Sequence, residues 1–168
     1  MWKSYVHWST VWSASARRPG AESAAQVLDR SAVATTPGEL DRNPRMMKKI
    51  LIVDDSATVR RQVRLALSGH PFDVIEASDG VEGAETINGS ADLAAVILDI
   101  NMPRMNGLEM LALIKRVPKN GALPVVMLTV EAQNELIQRA KASGANGWIV
   151  KPFKPEMLLA AMRKLSAL

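Results

Sequence analysis

From Lys48 onward, short apolar runs alternate with segments in which apolar residues recur every three to four positions, a pattern that predicts five strands and five helices. The first strand is Lys49-Ile50-Leu51-Ile52-Val53, closed by Asp54-Asp55. Ser56 is placed to cap a helix with Val59, Val63, Ala66 and Leu67 on its apolar face, ending at Gly69-His70-Pro71. Phe72 to Glu76 is a short second strand, and Asp79-Gly80 begins a helix that runs to Asn88-Gly89. Leu93 to Leu98 is the third strand, which ends abruptly in Asp99 and the turn residues Asn101-Met102-Pro103. Asn106-Gly107 precedes a helix carrying Leu108, Leu111 and Ile114 on one face. Pro124-Val125-Val126-Met127-Leu128 is the fourth strand, with Thr129 at its end, and a fourth helix is expected from Glu131 to Ser143, stopped by Gly144. Gly147-Trp148-Ile149-Val150 is the fifth strand, ending in Lys151-Pro152, and Pro155 starts a last helix with the face Leu158, Ala161, Met162 and Leu165. Strands alternating with helices require an α/β fold with a parallel sheet covered on both faces, here assigned to residues 47–168.

Residues 1–46 are of a different texture, with Ser, Thr, Ala, Arg, Pro and Gly scattered without a sustained period, and no packed structure is expected of them. Trp2, Trp8 and Trp12 suggest a docking motif or a membrane-surface anchor, against which their spacing does not hold one helical face. A third reading takes Met46 or Met47 as the natural start of an overextended frame.

At 168 residues the chain holds one ordinary domain, and the absence of cysteine excludes a disulfide framework, cysteine-based zinc sites and thiol catalysis. No apolar run approaches the roughly 20 residues that span a bilayer, and no secretory leader is recognisable, so a cytoplasmic protein is expected. The formal charge of +4 is spread along the chain: residues 1–46 carry six basic and four acidic side chains, and residues 47–168 carry fifteen and thirteen. Neither part is basic enough to argue for nucleic acid, and Arg60, Arg61 and Arg64 are assigned to the solvated face of the first helix.

Four of the five strands deliver polar groups to their carboxyl ends, where ligands bind in open parallel sheets: Asp54 and Asp55 from the first, Asp99 from the third, Thr129 from the fourth and Lys151 from the fifth. Any one of these, Asp99 included, could be turn or cap chemistry. Their coincidence argues for a site. Two carboxylates about 4 Å apart repel by roughly 4 kcal/mol at an effective dielectric near 20, so three in one crevice require cations or raised pKa values. Lys151 and a divalent ion would supply that charge, and oxygen ligands without His or Cys favour Mg2+. Metal, ammonium and hydroxyl around one carboxylate describe a place where a phosphoryl group could be received.

Asp54-Asp55, Asp99, Thr129 and Lys151-Pro152, with the Asn-Met-Pro turn after Asp99 and the Lys-Pro-Phe run, resemble the receiver domains of two-component response regulators over residues 48–168. The resemblance implies a flavodoxin-like sheet of order 2-1-3-4-5. It also implies that Asp99 accepts phosphate from the phosphohistidine of a sensor histidine kinase. In the same way, Asp55, Asp99 and the main-chain carbonyl of Asn101 would bind Mg2+, with Asp54 acting mainly through metal-bound water. Thr129 and Lys151 would hold phosphoryl oxygens, and the Lys151-Pro152 peptide is expected to be cis. Asn101 and Glu131 would line the path of the water that removes the phosphate, and Trp148 would be the aromatic that changes rotamer as Thr129 moves, with plain core packing as its other role. Met102-Pro103, the Thr129 to Ala132 region and the run from Gly147 to Phe153 are most similar to the CheY-type chemotaxis regulators. Ser56 and Val130 depart from that pattern, and Val130 would narrow access to the acceptor.

With no DNA-binding or enzymatic output module expected after the last helix, the domain would signal through the face made by the fourth helix, fifth strand and fifth helix. Its target would be a flagellar motor switch or a phosphorelay protein. The enzymatic alternative is a Mg2+-dependent phosphatase with an Asp nucleophile, a class that places Asp-x-Asp after its first strand where this chain has adjacent aspartates. A Rossmann nucleotide-binding protein would need a Gly-rich turn that Asp54-Asp55-Ser56-Ala57-Thr58 does not supply.

Overall fold

The computed structural model describes residues 47–90, 92–130 and 133–166. The expectations for residues 1–46, and the assignment of a water-positioning role to Glu131, lie outside the described residues. Five strands and five helices alternate in the order β1 (Lys48–Val53), α1 (Ala57–Leu67), β2 (Phe72–Ala77), α2 (Gly80–Gly89), β3 (Leu93–Asp99), α3 (Gly107–Arg116), β4 (Val125–Thr129), α4 (Asn134–Ala142), β5 (Gly147–Val150) and α5 (Pro155–Leu165). All strand pairs are parallel, and the sheet has the order β2-β1-β3-β4-β5.

The helix starts follow the cap chemistry of the sequence. Ser56 accepts from the Val59 amide, and Asp79 accepts from the amides of Val81 and Glu82. Asn106 and Glu109 form a reciprocal capping box at α3. The fourth helix corrects the sequence expectation: it begins at Asn134 rather than Glu131, and Gln133 at its cap position makes no side-chain cap hydrogen bond. A start at Glu131 would put Val130 at the cap position, where a valine side chain can accept no hydrogen bond.

Because side chains alternate across a strand, each central strand feeds two cores at once. Ile50, Ile52, Ala95, Ile97, Val126, Leu128 and Ile149 pack beneath α1 and α5 with Val63, Leu67, Leu158, Ala161 and Met162. The opposite parity, including Leu51, Val53, Val96, Leu98, Met127 and Trp148, packs with Met110, Leu111, Ile114 and Ala140 of α3 and α4. On α3 the buried stripe is Gly107, Met110, Leu111 and Ile114, while Leu108 is only partly buried. The α2–α3 contact is close at Gly83: a Cβ there would stand 2.7 Å from Met110 Cε and 2.9 Å from Val53 Cγ2, so those side chains would have to shift. No helix among the described residues is long and apolar enough to cross a membrane.

Candidate functional site

The strand register gathers the polar residues. Val53 pairs with Leu98, so Asp54 and Asp99 emerge side by side from the adjacent strands β1 and β3. Asp99 pairs with Leu128 and Thr129 with Val150, which sets Thr129 and Lys151 beside them at the same carboxyl edge. The expected site residues Asp54, Asp55, Asp99, Thr129 and Lys151 therefore share one end of the sheet, and Asn101 follows in the loop from β3 to α3.

Lys151 is the hinge of this cluster. Its Nζ donates to Asp54 Oδ2 at 2.6 Å and to Asp99 Oδ1 at 3.0 Å, although these residues are far apart in sequence. Asp54 is 0% and Asp99 4% exposed, so these are buried ion pairs whose partners depend on each other. Burial pushes the Asp99 carboxyl above the ordinary aspartate range, against the opposing pull of Lys151. For Lys151, burial works against the charged ammonium, but the hydrogen bonds to Asp54 and Asp99 together outweigh it and raise its pKa. The Lys151-Pro152 peptide is cis, as expected, and the Lys151 amide donates to the Thr129 carbonyl at 2.7 Å.

The two adjacent aspartates have different surroundings. Asp54 is fully buried, with Oδ1 taking the Ser56 amide at 2.9 Å and Oδ2 taking Lys151. Asp55 is exposed. One oxygen from each of Asp54, Asp55 and Asp99 lies within 4.8 Å of the others, an all-oxygen set of the kind that hard divalent cations prefer. Three carboxylates against the single ammonium of Lys151 leave two negative charges to be balanced.

The loop after Asp99 is held by close backbone packing. A Cβ at Gly107 would lie 2.0 Å from the Asp99 carbonyl oxygen and 2.9 Å from its carbon, so only glycine lets α3 begin against the end of β3. The Gly107 amide donates to the Ile100 carbonyl at 2.9 Å. In the same loop Arg104 adopts a left-handed backbone, φ 66°, a conformation disfavoured for a residue with a side chain. Its guanidinium forms an ion pair with Asp79, the nearly buried cap of α2.

Sequence reasoning missed two features. Arg60 does not belong to a solvated face: it is mostly buried and donates to the Asp54 carbonyl at 2.7 Å and to Glu76 at 3.0 Å. The signal was present in the i, i+4 spacing of Arg60 and Arg64, which puts both on one helix face, and in Glu76 near the end of the strand that follows that helix. Asp79 was read only as a helix start, and its pairing with Arg104 joins segments that no local pattern connects. Trp148 is 4% exposed and sits in the core, with its indole Nε1 buried and lacking a hydrogen-bond partner among the described residues.

Residues 50–163 match the model of the response regulator receiver domain. The chain is 40% identical to chemotaxis protein CheY1 of Helicobacter pylori over 111 residues, 66% of this chain and 90% of that protein. It is 40% identical over 112 residues to the CheY homolog of Campylobacter jejuni, covering 66% of this chain and 85% of the relative. Among solved structures, chemotaxis protein CheY4 of Vibrio cholerae aligns with a TM-score of 0.67 at 37% identity, over 71% of this chain and 98% of that one. A chain of the CheX-CheY-BeF3-Mg2+ complex of Borrelia burgdorferi aligns with a TM-score of 0.65 at 29% identity, over 72% and 96%. With the sheet order, the acidic cluster bridged by Lys151 and a family match spanning most of the described residues all in agreement, the chain belongs to the response regulator receiver family.

Proposed function

We propose that this receiver works in the manner of the chemotaxis regulators it is similar to, with Asp99 as the phosphoryl acceptor and a protein partner as its output. The observation that carries this reading is the Lys151 ammonium bridging buried Asp54 and Asp99 at the carboxyl edge of the sheet. Nothing at the site favours the phosphatase alternative, whose Asp-x-Asp spacing is absent after β1.

In the transfer, a carboxylate oxygen of Asp99 attacks the phosphorus of a phosphohistidine on a sensor histidine kinase. The phosphorus–nitrogen bond breaks and the imidazole departs. Lys151 exchanges its bond to Asp99 for one to a phosphoryl oxygen, and the Thr129 hydroxyl takes another. Asp55, Asp99 and the Asn101 carbonyl would hold a Mg2+ ion, with Asp54 in support because both of its oxygens are already engaged. When bound, that ion supplies positive charge to the oxygens of the reacting group. Self-dephosphorylation breaks the new bond by hydrolysis: water oriented by Asn101 and Glu131 attacks phosphorus, the oxygen of Asp99 leaves as the free carboxylate, and inorganic phosphate and the water's proton pass to solvent.

The switch reading assigns Thr129 and Trp148 to one movement, in which the phosphate draws the hydroxyl inward and the ring turns toward the space it leaves. The register supports this: Trp148 pairs with Met127 and Val150 with Thr129, so the ring lies on the strand directly beside the one that carries the hydroxyl. The face of α4, β5 and α5 would then change for the partner, a motor switch or phosphorelay protein.

Incubation with acetyl phosphate or phosphoramidate and Mg2+ tests the assignment. An acid-stable, hydroxylamine-labile adduct is expected on the parent and not on Asp99→Asn. Equal labelling of the two proteins would refute it.

A further inference from the structure

The Asp54 main chain and side chain are tied at four points. Its amide donates to the Ala77 carbonyl at 3.2 Å, its Oδ1 accepts from the Ser56 amide, its Oδ2 accepts from Lys151, and its carbonyl accepts from Arg60 Nη1 at 2.7 Å. Only the last of these acts on the peptide that joins Asp54 to Asp55. A peptide group is planar, so an anchored Asp54 carbonyl also orients the Asp55 amide and the direction in which Asp55 leaves the strand.

Arg60 is itself held. Its Nε donates to Glu76 Oε2 at 3.0 Å, and Arg64, one helical turn later, donates to the other oxygen of the same carboxylate. The Arg60 side chain is 16% and that of Glu76 28% exposed, so the pair is sheltered compared with an ordinary surface ion pair. A guanidinium presents donors in a rigid planar fork, and here the fork spans a carbonyl on β1 and a carboxylate on β2.

We propose that Arg60 is a positioning residue of the acceptor site: by joining the Asp54 carbonyl to Glu76 it fixes the Asp54-Asp55 peptide and aims the Asp55 carboxylate at the divalent ion. The inference rests on the reading in which Asp55 holds that ion. Asp55 is the exposed member of the trio, so its direction is the one least constrained by packing. Arg60 touches neither the ion nor the phosphoryl group.

The test compares the parent with Arg60→Lys, which keeps the charge but replaces the fork with a single nitrogen, and with Arg64→Lys, which makes the same change at the other Glu76 partner without touching Asp54. In metal-free protein, the 15N order parameter of the Asp55 amide should fall in Arg60→Lys from near 0.85, typical of rigid backbone, toward 0.6, and should stay high in Arg64→Lys. By calorimetry, the Mg2+ dissociation constant should rise about tenfold in Arg60→Lys, the loss typical of removing a support behind a ligand. The acetyl phosphate labelling rate at saturating Mg2+ should stay within about twofold of the parent, since the groups that meet the phosphate are intact. Urea melts confirm that each variant is folded. An Asp55 order parameter and Mg2+ affinity unchanged in Arg60→Lys would overturn the proposal, as would equal losses in Arg64→Lys. A parent that neither binds Mg2+ nor labels would instead overturn the underlying reading of the site, and this inference with it.

Discussion

Replacing Lys151 with Met removes the cation from two buried carboxylates while keeping the bulk of the side chain. Its Nζ lies 2.6 Å from Asp54 and 3.0 Å from Asp99, and these residues are 0% and 4% exposed. Breaking a buried ion pair by deleting one partner costs about 3–5 kcal/mol. A second route gives a similar size: the carboxylate oxygens come within 4.8 Å of one another, and at an effective dielectric near 20 one such pair repels by about 3.5 kcal/mol. The variant should therefore lose about 3–5 kcal/mol in urea melts at pH 7.5 with a chelator, a large part of the 5–15 kcal/mol typical of a domain. Two treatments should restore it. Asp99 already titrates above the ordinary aspartate range because it is buried, and losing Lys151 raises it further. A carboxyl with a raised folded pKa contributes stability that is present below its unfolded pKa and lost as the pH rises through the folded one, so the deficit should shrink from pH 7.5 to pH 5.5. Mg2+ should stabilise the variant more than the parent, because the ion no longer competes with an ammonium. A variant within 1 kcal/mol of the parent in chelator, or equal Mg2+ stabilisation of both, would refute the argument.

Gly107→Ala should destabilise the domain by about 1–3 kcal/mol and slow labelling of Asp99, since the new Cβ meets the Asp99 backbone at 2.0 Å. Gly89→Ala, where a Cβ meets nothing within 4 Å, should be neutral or slightly stabilising, and urea melts of both check the contrast. The Glu76 carboxyl is held below the ordinary glutamate range by Arg64, with Arg60 adding to the effect. Its pairing therefore stabilises the fold above that range and is lost as the pH falls through the lowered value, so Glu76→Gln should flatten the acid limb of a stability-against-pH curve below about pH 4. In a protein with Trp2, Trp8 and Trp12 replaced by Phe, beryllofluoride with Mg2+ should shift Trp148 emission and change its quenching by acrylamide, and Thr129→Ala should blunt both. Unchanged emission with the mimic demonstrably bound would make the ring passive core.

The alternation of apolar runs and amphipathic segments by itself determined the number, order and type of the elements, because burial on both faces of a parallel sheet leaves a local imprint on every strand. The polar residues that end four strands were legible for the same reason: a break in an apolar run is a sequence event, and parallel strands present all such breaks at one edge. Sheet order was not legible from periodicity and came from the likeness of the motifs. Only the tertiary structure decided that Asp54 is buried and Asp55 exposed, that Arg60 turns from solvent toward Asp54 and Glu76, and that Arg104 reaches Asp79. It also moved the start of α4 to Asn134, where the sequence carries no strong cap. The physical reason is common to these cases. Helix and strand patterns are written within a few residues, whereas the partner of a charged side chain is set by which strands lie adjacent, and Lys151 finds Asp54 across 97 positions of sequence only because β1, β3, β4 and β5 end together.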